Sequence, residues 1–307
     1  MRRVSTAWLL ILLFGSLAWV PRVAANPTPG ISLSPFEEQL TIEPTDTVKS
    51  FSLVLGNHTP VAQELNLKTQ DFGSLGDTGG IRLENNSYTK HYGLAAWLSL
   101  GTASVSLAPG QTATVPVTVR NRSSLGPGGH YGAVVVGVGS GSKSQGRQVA
   151  INQQLLSLIL VDKVGGDHYD LALTGVTTNG DWLRAPTDIR LRFQNPGNVH
   201  VIPRGLVKLT SPTGTVIAQG VVNTQSAFIL PSTSRELNVP LTVLAKAAAI
   251  PGPYHLVVQY RYDSVTVYAT KHYFVDYLNA GSWAVLGVLL VVVLGLILTR
   301  RPRRLTT

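Results

Sequence analysis

The sequence predicts an all-β protein: two tandem Ig-like β-sandwich domains followed by one C-terminal transmembrane helix. From residue 31 to residue 277, short runs of β-branched and aromatic residues are separated by Gly, Pro, Asn and Asp. Runs such as Ser50 to Asn57 alternate apolar with polar residues, which is typical of strands with one solvated face. Near the end of the chain the alternation gives way to one long apolar segment. We therefore expect little helix outside the two ends of the chain.

The first 25 residues have the pattern of a secretory signal peptide. Two arginines precede the apolar run from Ala7 to Trp19, and Val23-Ala24-Ala25 supplies small residues for cleavage. We expect cleavage after Ala25. The alternative, an uncleaved N-terminal anchor, leaves the rest of the chain on the same side of the membrane.

The region between the two ends contains a duplicated pattern. Leu125 to Gly137 and Ala249 to Tyr262 both place Pro-Gly shortly before a Tyr and a valine-rich run. Three pairs of residues recur in the same order at offsets of 138, 122 and 123 positions: Asn57 and Asn195, Pro109 and Pro231, Tyr131 and Tyr254. This repetition predicts two copies of one sandwich, residues 26–162 and 163–278. In each copy the Tyr is expected to open a centrally paired strand, much as a tyrosine corner does in Ig-like folds.

Residues 282–299 form the long apolar segment. Eighteen helical residues span about 27 Å, close to the thickness of the hydrocarbon core. Tyr277 and Trp283 lie where an aromatic belt is expected, and residues 300–307 contain four arginines, as the positive-inside rule predicts for a cytoplasmic tail. The pattern indicates a single-pass protein of the cytoplasmic membrane with its body outside, so the lipid bilayer is one predicted partner.

The net charge of +9 does not indicate a nucleic-acid partner. Seven arginines lie at the two ends, which leaves 18 basic against 16 acidic residues in the body and no basic stripe. The chain has no cysteine, so an exported body of this size depends on packed cores and not on disulfides. The missing disulfides also favour a bacterial source.

The first half carries an insert, Asp71 to Leu100, with no counterpart of similar size in the second half. Long loops on a rigid sandwich are common recognition sites. Its aromatic side chains are suited to stacking on sugar or peptide, and they are the candidate ligand contacts: Tyr88, His91, Tyr92 and Trp97. The alternative is that Trp97 caps the core and the tyrosines lie on the surface.

No motif indicates catalysis, a cofactor or a metal centre. A thiolate is excluded by the missing cysteines, the seven histidines form no metal-binding pair, and no nucleophile elbow is present. Asp71 and Asp77, with glycines between them, leave a calcium loop open as an alternative to a plain turn. We therefore predict no catalytic residues, no cofactor and no metal ligands.

The motifs together resemble the WxL-interacting proteins of bacterial surfaces. The resemblance lies in Leu107 to Val119 with Pro127 to Gly137 in the first half, and in Leu191 to Leu209, Leu230 to Leu241 and Pro251 to Tyr260 in the second. It implies a first domain associated with peptidoglycan, a second that contacts a host or partner surface, and a C-terminal membrane anchor. The Ala-Pro-Asn-Ser turn of that family reads Leu-Pro-Ser-Thr in this chain.

These patterns lead to one main functional hypothesis and one alternative. The first is a non-enzymatic, membrane-anchored surface protein that attaches to cell-wall peptidoglycan, to a surface protein, or to both. The alternative is an assembly factor, similar to a periplasmic chaperone, that completes the sheet of a partner by strand addition. Either Ala133 to Gly139 or Leu155 to Val161 would then be the donating edge.

Overall fold

The computed structural model describes residues 30–84, 86–139, 154–178, 186–244, 252–275 and 280–299. It confirms the all-β prediction: eighteen strands and two α-helices are described in these ranges. The predicted signal peptide, residues 1–25, and the predicted tail, residues 300–307, lie outside them.

The first domain contains ten strands and two short helices. Its strands are β1 Ile31–Ser34, β2 Glu37–Ile42, β3 Val48–Asn57, β4 Gln63–Leu75, β5 Gly80–Leu83, β6 Leu98–Leu100, β7 Ser104–Leu107, β8 Thr112–Arg120, β9 Gly128–Gly139 and β10 Gln154–Lys163. Helix α1, Ser87–Tyr92, and a 3-10 helix, Ala95–Trp97, lie between β5 and β6.

Two sheets pack face to face in this domain. One has the order β1-β3-β8-β6, and the other has the order β2-β10-β9-β4-β5, with β7 paired to β4. Alternate side chains point inward, so that Leu53 and Val117 of the first sheet share one core with Val134 and Ile159 of the second. Strand β9, which Tyr131 opens near its start, lies between β10 and β4, as the sequence predicted.

The second domain contains eight strands. They are β11 Ala172–Thr178, β12 Asp188–Gln194, β13 Arg204–Thr210, β14 Val216–Val222, β15 Ser234–Pro240, β16 Thr242–Val243, β17 Gly252–Tyr262 and β18 Val265–Val275. A three-stranded sheet, β11-β12-β15, packs on a five-stranded sheet, β16-β14-β13-β17-β18. Phe193, Val207 and Tyr254 are buried in the core between them.

The side chains of the repeated asparagines make the same three hydrogen bonds with the backbone in both domains. The Asn57 amide donates to the carbonyls of Val61 and Leu107 at 2.8 and 3.0 Å, and the Thr59 amide N–H donates to its Oδ1. Asn195 donates to Val199 and Ile229 at 2.8 and 2.9 Å and accepts from Gly197. Both asparagines are fully buried. The duplicated pattern therefore corresponds to a duplicated loop anchor.

Helix α2, Ala280–Thr299, contains the predicted span 282–299. Within the described residues, no helix is long and apolar enough to cross a membrane.

Candidate functional site

The two domains meet at a buried apolar cluster, called here the interface cluster. Phe72, Tyr131 and Leu160 of the first domain are buried in it together with Phe228 and Leu230 of the second. Hydrogen bonds fix the junction on either side, since Gly129 donates its N–H to the Asn198 carbonyl and Glu236 donates to the Asp77 carbonyl, both at 2.8 Å. The domains therefore pack as one unit at this junction.

The insert, Asp71 to Leu100, lies at this junction. Asn86 caps helix α1 by accepting hydrogen bonds from the N–H groups of Tyr88 and Thr89, and the Thr89 hydroxyl accepts from the Asn86 N–H. The Asp71 carboxylate accepts from the N–H groups of Leu94 and Ala95 at 2.8 and 2.6 Å. These bonds fix the backbone of the insert, which carries the four aromatic side chains predicted to contact a ligand.

Two of the four candidate ligand contacts pack into the interface cluster. The rings of Tyr88 and Tyr92 lie 4.8 Å apart, and Tyr92 lies 6.3 Å from Tyr131. Burial raises the pKa of the Tyr88 hydroxyl well above its usual value. Much of the tyrosine surface that could stack on a ligand is therefore used between the domains, which sequence reasoning did not anticipate.

The other two candidates lie farther out. His91 is exposed and meets Tyr92 edge-on at 4.5 Å between ring centroids. Trp97 is half-buried against the first core, as the core-capping alternative expected, with the Arg122 guanidinium 5.9 Å from its ring centre. A cleft of about 290 Å³ is lined by His91, Tyr92 and Trp97 together with Lys90, His130 and Asn198. Three of the four candidates thus share one cleft, and their role as ligand contacts stays a prediction.

Asp71 and Asp77 do not share a site in this fold. Asp71 caps the backbone of the insert, and the Asp77 carboxylate lies 3.1 Å from the Arg192 guanidinium of the second domain. Gly93 allows the first contact, because a Cβ there would lie 2.8 Å from Asp71 Oδ2. No group of three or more metal-ligating side chains is found among the described residues.

Several titratable groups are buried at the junction. Burial lowers the pKa of His200 to about 4; its Nδ1 lies 3.5 Å from the Tyr131 hydroxyl. Burial also lowers the pKa of His130, whose Nε2 is 2.8 Å from the Gly126 carbonyl. Burial raises the pKa of Asp162, although the Tyr169 hydroxyl donates a hydrogen bond to it. None of these three groups was singled out by the sequence, because none lies in a recognisable motif.

An open strand edge lies away from the junction, on β10. Strand β9 pairs with all of β10, whereas β2 pairs only with Leu158 to Lys163. The chain reaches β2 from β1, which belongs to the other sheet, and therefore leaves the backbone of residues 154–157 without a strand partner on that side in the described part of the chain. The Ser157 hydroxyl donates to the Pro35 carbonyl in this connection at 2.8 Å. Phe36, the residue immediately before β2, accepts a hydrogen bond from Leu158 at this edge, and its side chain is 72% exposed.

The hydrogen-bond directions at this edge follow from one observed bond. The Leu158 N–H donates to the Phe36 carbonyl at 2.8 Å, so residue 158 points its backbone groups away from β9. Backbone groups alternate along a strand, so Gln154 and Leu156 also point outward, while Leu155 and Ser157 bond to β9. Of the two edges proposed from sequence, Ala133 to Gly139 is wrong, because residues 133–137 of β9 are paired on both sides and residues 138–139 are paired with β4. Of the other, Leu155 to Val161, residues 158–161 pair with β2, so only residues 155–157 belong to the open edge.

No family model matches the chain, and no curated protein matches it either. Among solved structures, the chain is similar to the class 5 fimbriae chaperone CfaA at 11% identity and a TM-score of 0.43, over 79% of this chain and 99% of that one. It is also similar to the E. coli chaperone DraB at 13% identity and a TM-score of 0.38, over 80% and 98% of the two chains. A third is the Pseudomonas aeruginosa CupB2 chaperone, at 9% identity and a TM-score of 0.35, over 77% and 97%. At these scores the likenesses carry no argument about function.

Proposed function

We propose that this protein is a non-enzymatic binding protein that captures an extended segment of a protein partner at the open edge of β10. The observation that carries the proposal is the outward-pointing, unpartnered backbone of Gln154 and Leu156 in the described structure. Exposed strand edges are templates for pairing with another chain, and natural proteins usually cover them. This is the strand-addition alternative from the sequence, now assigned to one strand.

The surroundings of the edge suit an added strand. A partner segment beside residues 154–157 would lie end to end with β2 and extend its pairing with β10. Leu155 and Leu156 are half-buried on opposite faces of the sheet, so each face offers an apolar side chain to such a segment. The exposed ring of Phe36 lies at the junction with β2 and can cover it.

The C-terminal helix supports a proposed membrane anchor. All its described side chains, residues 284–297, are apolar or glycine, and all are exposed, with Val288 and Val291 at 64% and 68%. A helix that is apolar on every face is buried in protein or in lipid, and no described part of the chain covers this helix. We therefore propose that residues 282–299 of α2 form a single membrane span, with the two domains outside and residues 300–307 in the cytoplasm.

Cell-wall attachment is the second candidate function. The observation that favours it is the cleft shared by His91, Tyr92 and Trp97, where aromatic faces lie beside Lys90 and Asn198. Aromatic faces with nearby polar groups suit a glycan or a peptide crossbridge. In this hypothesis the insert is the contact site for peptidoglycan, and β10 has no direct role.

The proposal is tested in cells that produce the full chain. A photo-crosslinking amino acid at Gln154 should trap a protein partner, and the same probe at the exposed Lys68 on β4 should not. Leu156→Pro removes an outward N–H and should abolish crosslinking, whereas Leu156→Ala keeps that N–H and should retain most of it. Equal crosslinking in the two variants would contradict strand addition.

Sedimentation with purified cell walls distinguishes cell-wall attachment, the second candidate function, from strand addition. Cell-wall attachment predicts that His91→Ala and Trp97→Ala reduce co-sedimentation and that Leu156→Pro does not. If all three variants sediment as the unmodified protein does, the cleft is not the wall contact.

A further inference from the structure

The outer face of the five-stranded sheet carries a groove that neither proposed function uses. It has a volume of about 630 Å³ and crosses four strands, β14, β13, β17 and β18. Its lining includes Arg204, Leu206, Val221, Arg261 and Thr266. The groove belongs to the second domain, whereas the open edge of β10 belongs to the first.

Strand register arranges the groove in two rows. Leu206 is directly opposite Val221 on one side and Gln259 on the other, and Gln259 is opposite Tyr268. In this row the side chains of Leu206, Val221 and Tyr268 are 39%, 52% and 67% exposed. The row therefore presents uncovered apolar surface at Leu206 and Val221 in the groove and at Tyr268 just outside its lining. Between them, the Gln259 amide donates to the Tyr268 hydroxyl at 3.0 Å.

The neighbouring row is basic. Arg204 on β13 is directly opposite Arg261 on β17, and both side chains are exposed. Like charges placed opposite each other on adjacent strands repel. Neither guanidinium forms an ion pair within the described ranges, where Arg82, Arg190 and Arg192 each have a carboxylate within 4 Å. The two arginines thus form a site whose repulsion an anionic group would relieve.

The position of the groove argues against lipid headgroups as its occupant. Thr266 lies at the beginning of β18, and the end of β18, Val275, leads to helix α2. The nine residue steps from Thr266 to Val275 extend about 30 Å along the strand, which is several Debye lengths at physiological salt. If α2 is the membrane anchor and β18 points towards it, the two arginines lie far from the bilayer surface.

The groove is also separate from the cleft between the two domains. The β17–β18 turn separates it from the cleft between the domains, since Asp263 lines that cleft together with Asp162 and Tyr169. The interdomain cleft is acidic and the groove is basic, so one anionic segment would be repelled by the first and attracted by the second.

We propose that this groove binds an acidic, extended segment of a protein partner. Its carboxylates would bind between Arg204 and Arg261, where each guanidinium can make bidentate hydrogen bonds. Its apolar side chains would pack on Leu206, Val221 and Tyr268. The site goes beyond strand addition and does not depend on it.

The test uses the purified full chain in detergent micelles. The probe is a fluorescent peptide that alternates glutamate with leucine, and the control peptide has glutamine in place of glutamate. Fluorescence anisotropy should show binding of the acidic peptide that weakens as salt is raised. Arg204→Ala or Arg261→Ala should weaken it by about tenfold, the loss of one charge-assisted contact. Lys68→Ala, which removes the same charge from the first domain, should have no effect.

Folding does not confound this result, because both arginines are exposed and their removal relieves a like-charge contact. The melting temperature of each variant should therefore not fall. Leu156→Pro should bind the acidic peptide normally, so failure of strand addition and failure of this site are distinguishable. Equal binding of both peptides, or unchanged binding by Arg204→Ala/Arg261→Ala, would overturn the proposal. Binding of anionic vesicles through Arg204 without peptide binding would also overturn it.

Discussion

The two copies of the Pro-Gly-Tyr motif place their tyrosines on opposite faces of the sheet. Tyr131 faces outward and packs into the interface cluster, whereas Tyr254 faces inward and packs in the second core. The tyrosine follows the proline by four residues in the first copy, Pro127 to Tyr131, and by three in the second, Pro251 to Tyr254. Side chains alternate along a strand, so one extra residue reverses the face.

This difference shows how a duplicated sandwich acquires an interface. In the first domain the inward position at the same distance from the proline is taken by His130, which is buried. The outward tyrosine is then free to contact Phe72 and Tyr92 of its own domain and His200 of the other. The same motif therefore builds a core in one domain and a domain junction in the other.

The largest expected effects come from truncating the two tyrosines. Loss of a large buried aromatic ring costs about 3–5 kcal/mol. Tyr254→Ala should lower the free energy of unfolding of the second domain. Tyr131→Ala should instead separate the unfolding of the two domains into two steps. Urea titrations followed by circular dichroism measure both effects, and the comparison fails if Tyr131→Ala leaves a single unchanged transition.

The repeated asparagines should respond alike, in contrast to the tyrosines. Asn57→Ala and Asn195→Ala each remove three hydrogen bonds with backbone groups, and Asn57→Ala also removes the bond that the Thr59 hydroxyl donates to Asn57. At about 1 kcal/mol for each bond, we expect each variant to lose about 3 kcal/mol of unfolding free energy. The exposed Asn238, replaced by Ala in the same urea assay, is the control and should lose almost none. A large loss at one position only would show that the two loops are not equivalent.

Acid should weaken the junction through His200. Because its pKa is about 4 in the folded protein and near 6.5 when unfolded, the unfolded state binds more protons below pH 6.5. The contribution of His200 to the free energy of unfolding is therefore constant above pH 7. It declines as the pH falls towards 4, and at pH 5 it is lower by about 2 kcal/mol. His200→Gln should remove this part of the pH dependence of unfolding. An unchanged pH dependence of unfolding in His200→Gln would contradict the assignment.

The smallest expected effect concerns the ion pair that joins the insert to the second domain. Asp77 and Arg192 are 37% and 51% exposed, so Asp77→Asn should cost less than about 1 kcal/mol. The cost should shrink further in 1 M salt, where the Debye length is about 3 Å. Glu84→Gln, within the insert, is the matched control in the same unfolding assay. A loss well above 1 kcal/mol would mean that the insert is a main determinant of the junction.

The sequence predicts those features that depend on local patterns. Alternation predicts strands such as β3 and β8, and the repeated Asn and Tyr positions indicate two sandwiches. Helix α1 was missed although a local signal exists, because Asn86 and Thr89 have the spacing of a capping box. The opposite facing of Tyr131 and Tyr254 could also have been predicted from the counts of four and three residues.

Other features depend on contacts between distant segments. The insert was predicted to be a recognition loop, and no local pattern indicates that Tyr88 and Tyr92 pack against the interface cluster. Arg204 and Arg261 lie 57 positions apart in the chain, so their opposition requires the register of β13 with β17. The open edge of β10 likewise depends on the point at which the chain crosses from β1 to β2.

The most direct test of the open edge is amide hydrogen exchange in the purified protein without a partner. The N–H of Leu156 should exchange fast, because nothing in the described structure accepts it, while the N–H groups of Leu155 and Ser157 should be protected by β9. Protection of Leu156 equal to that of its two neighbours would contradict the open edge and the strand addition proposed from it.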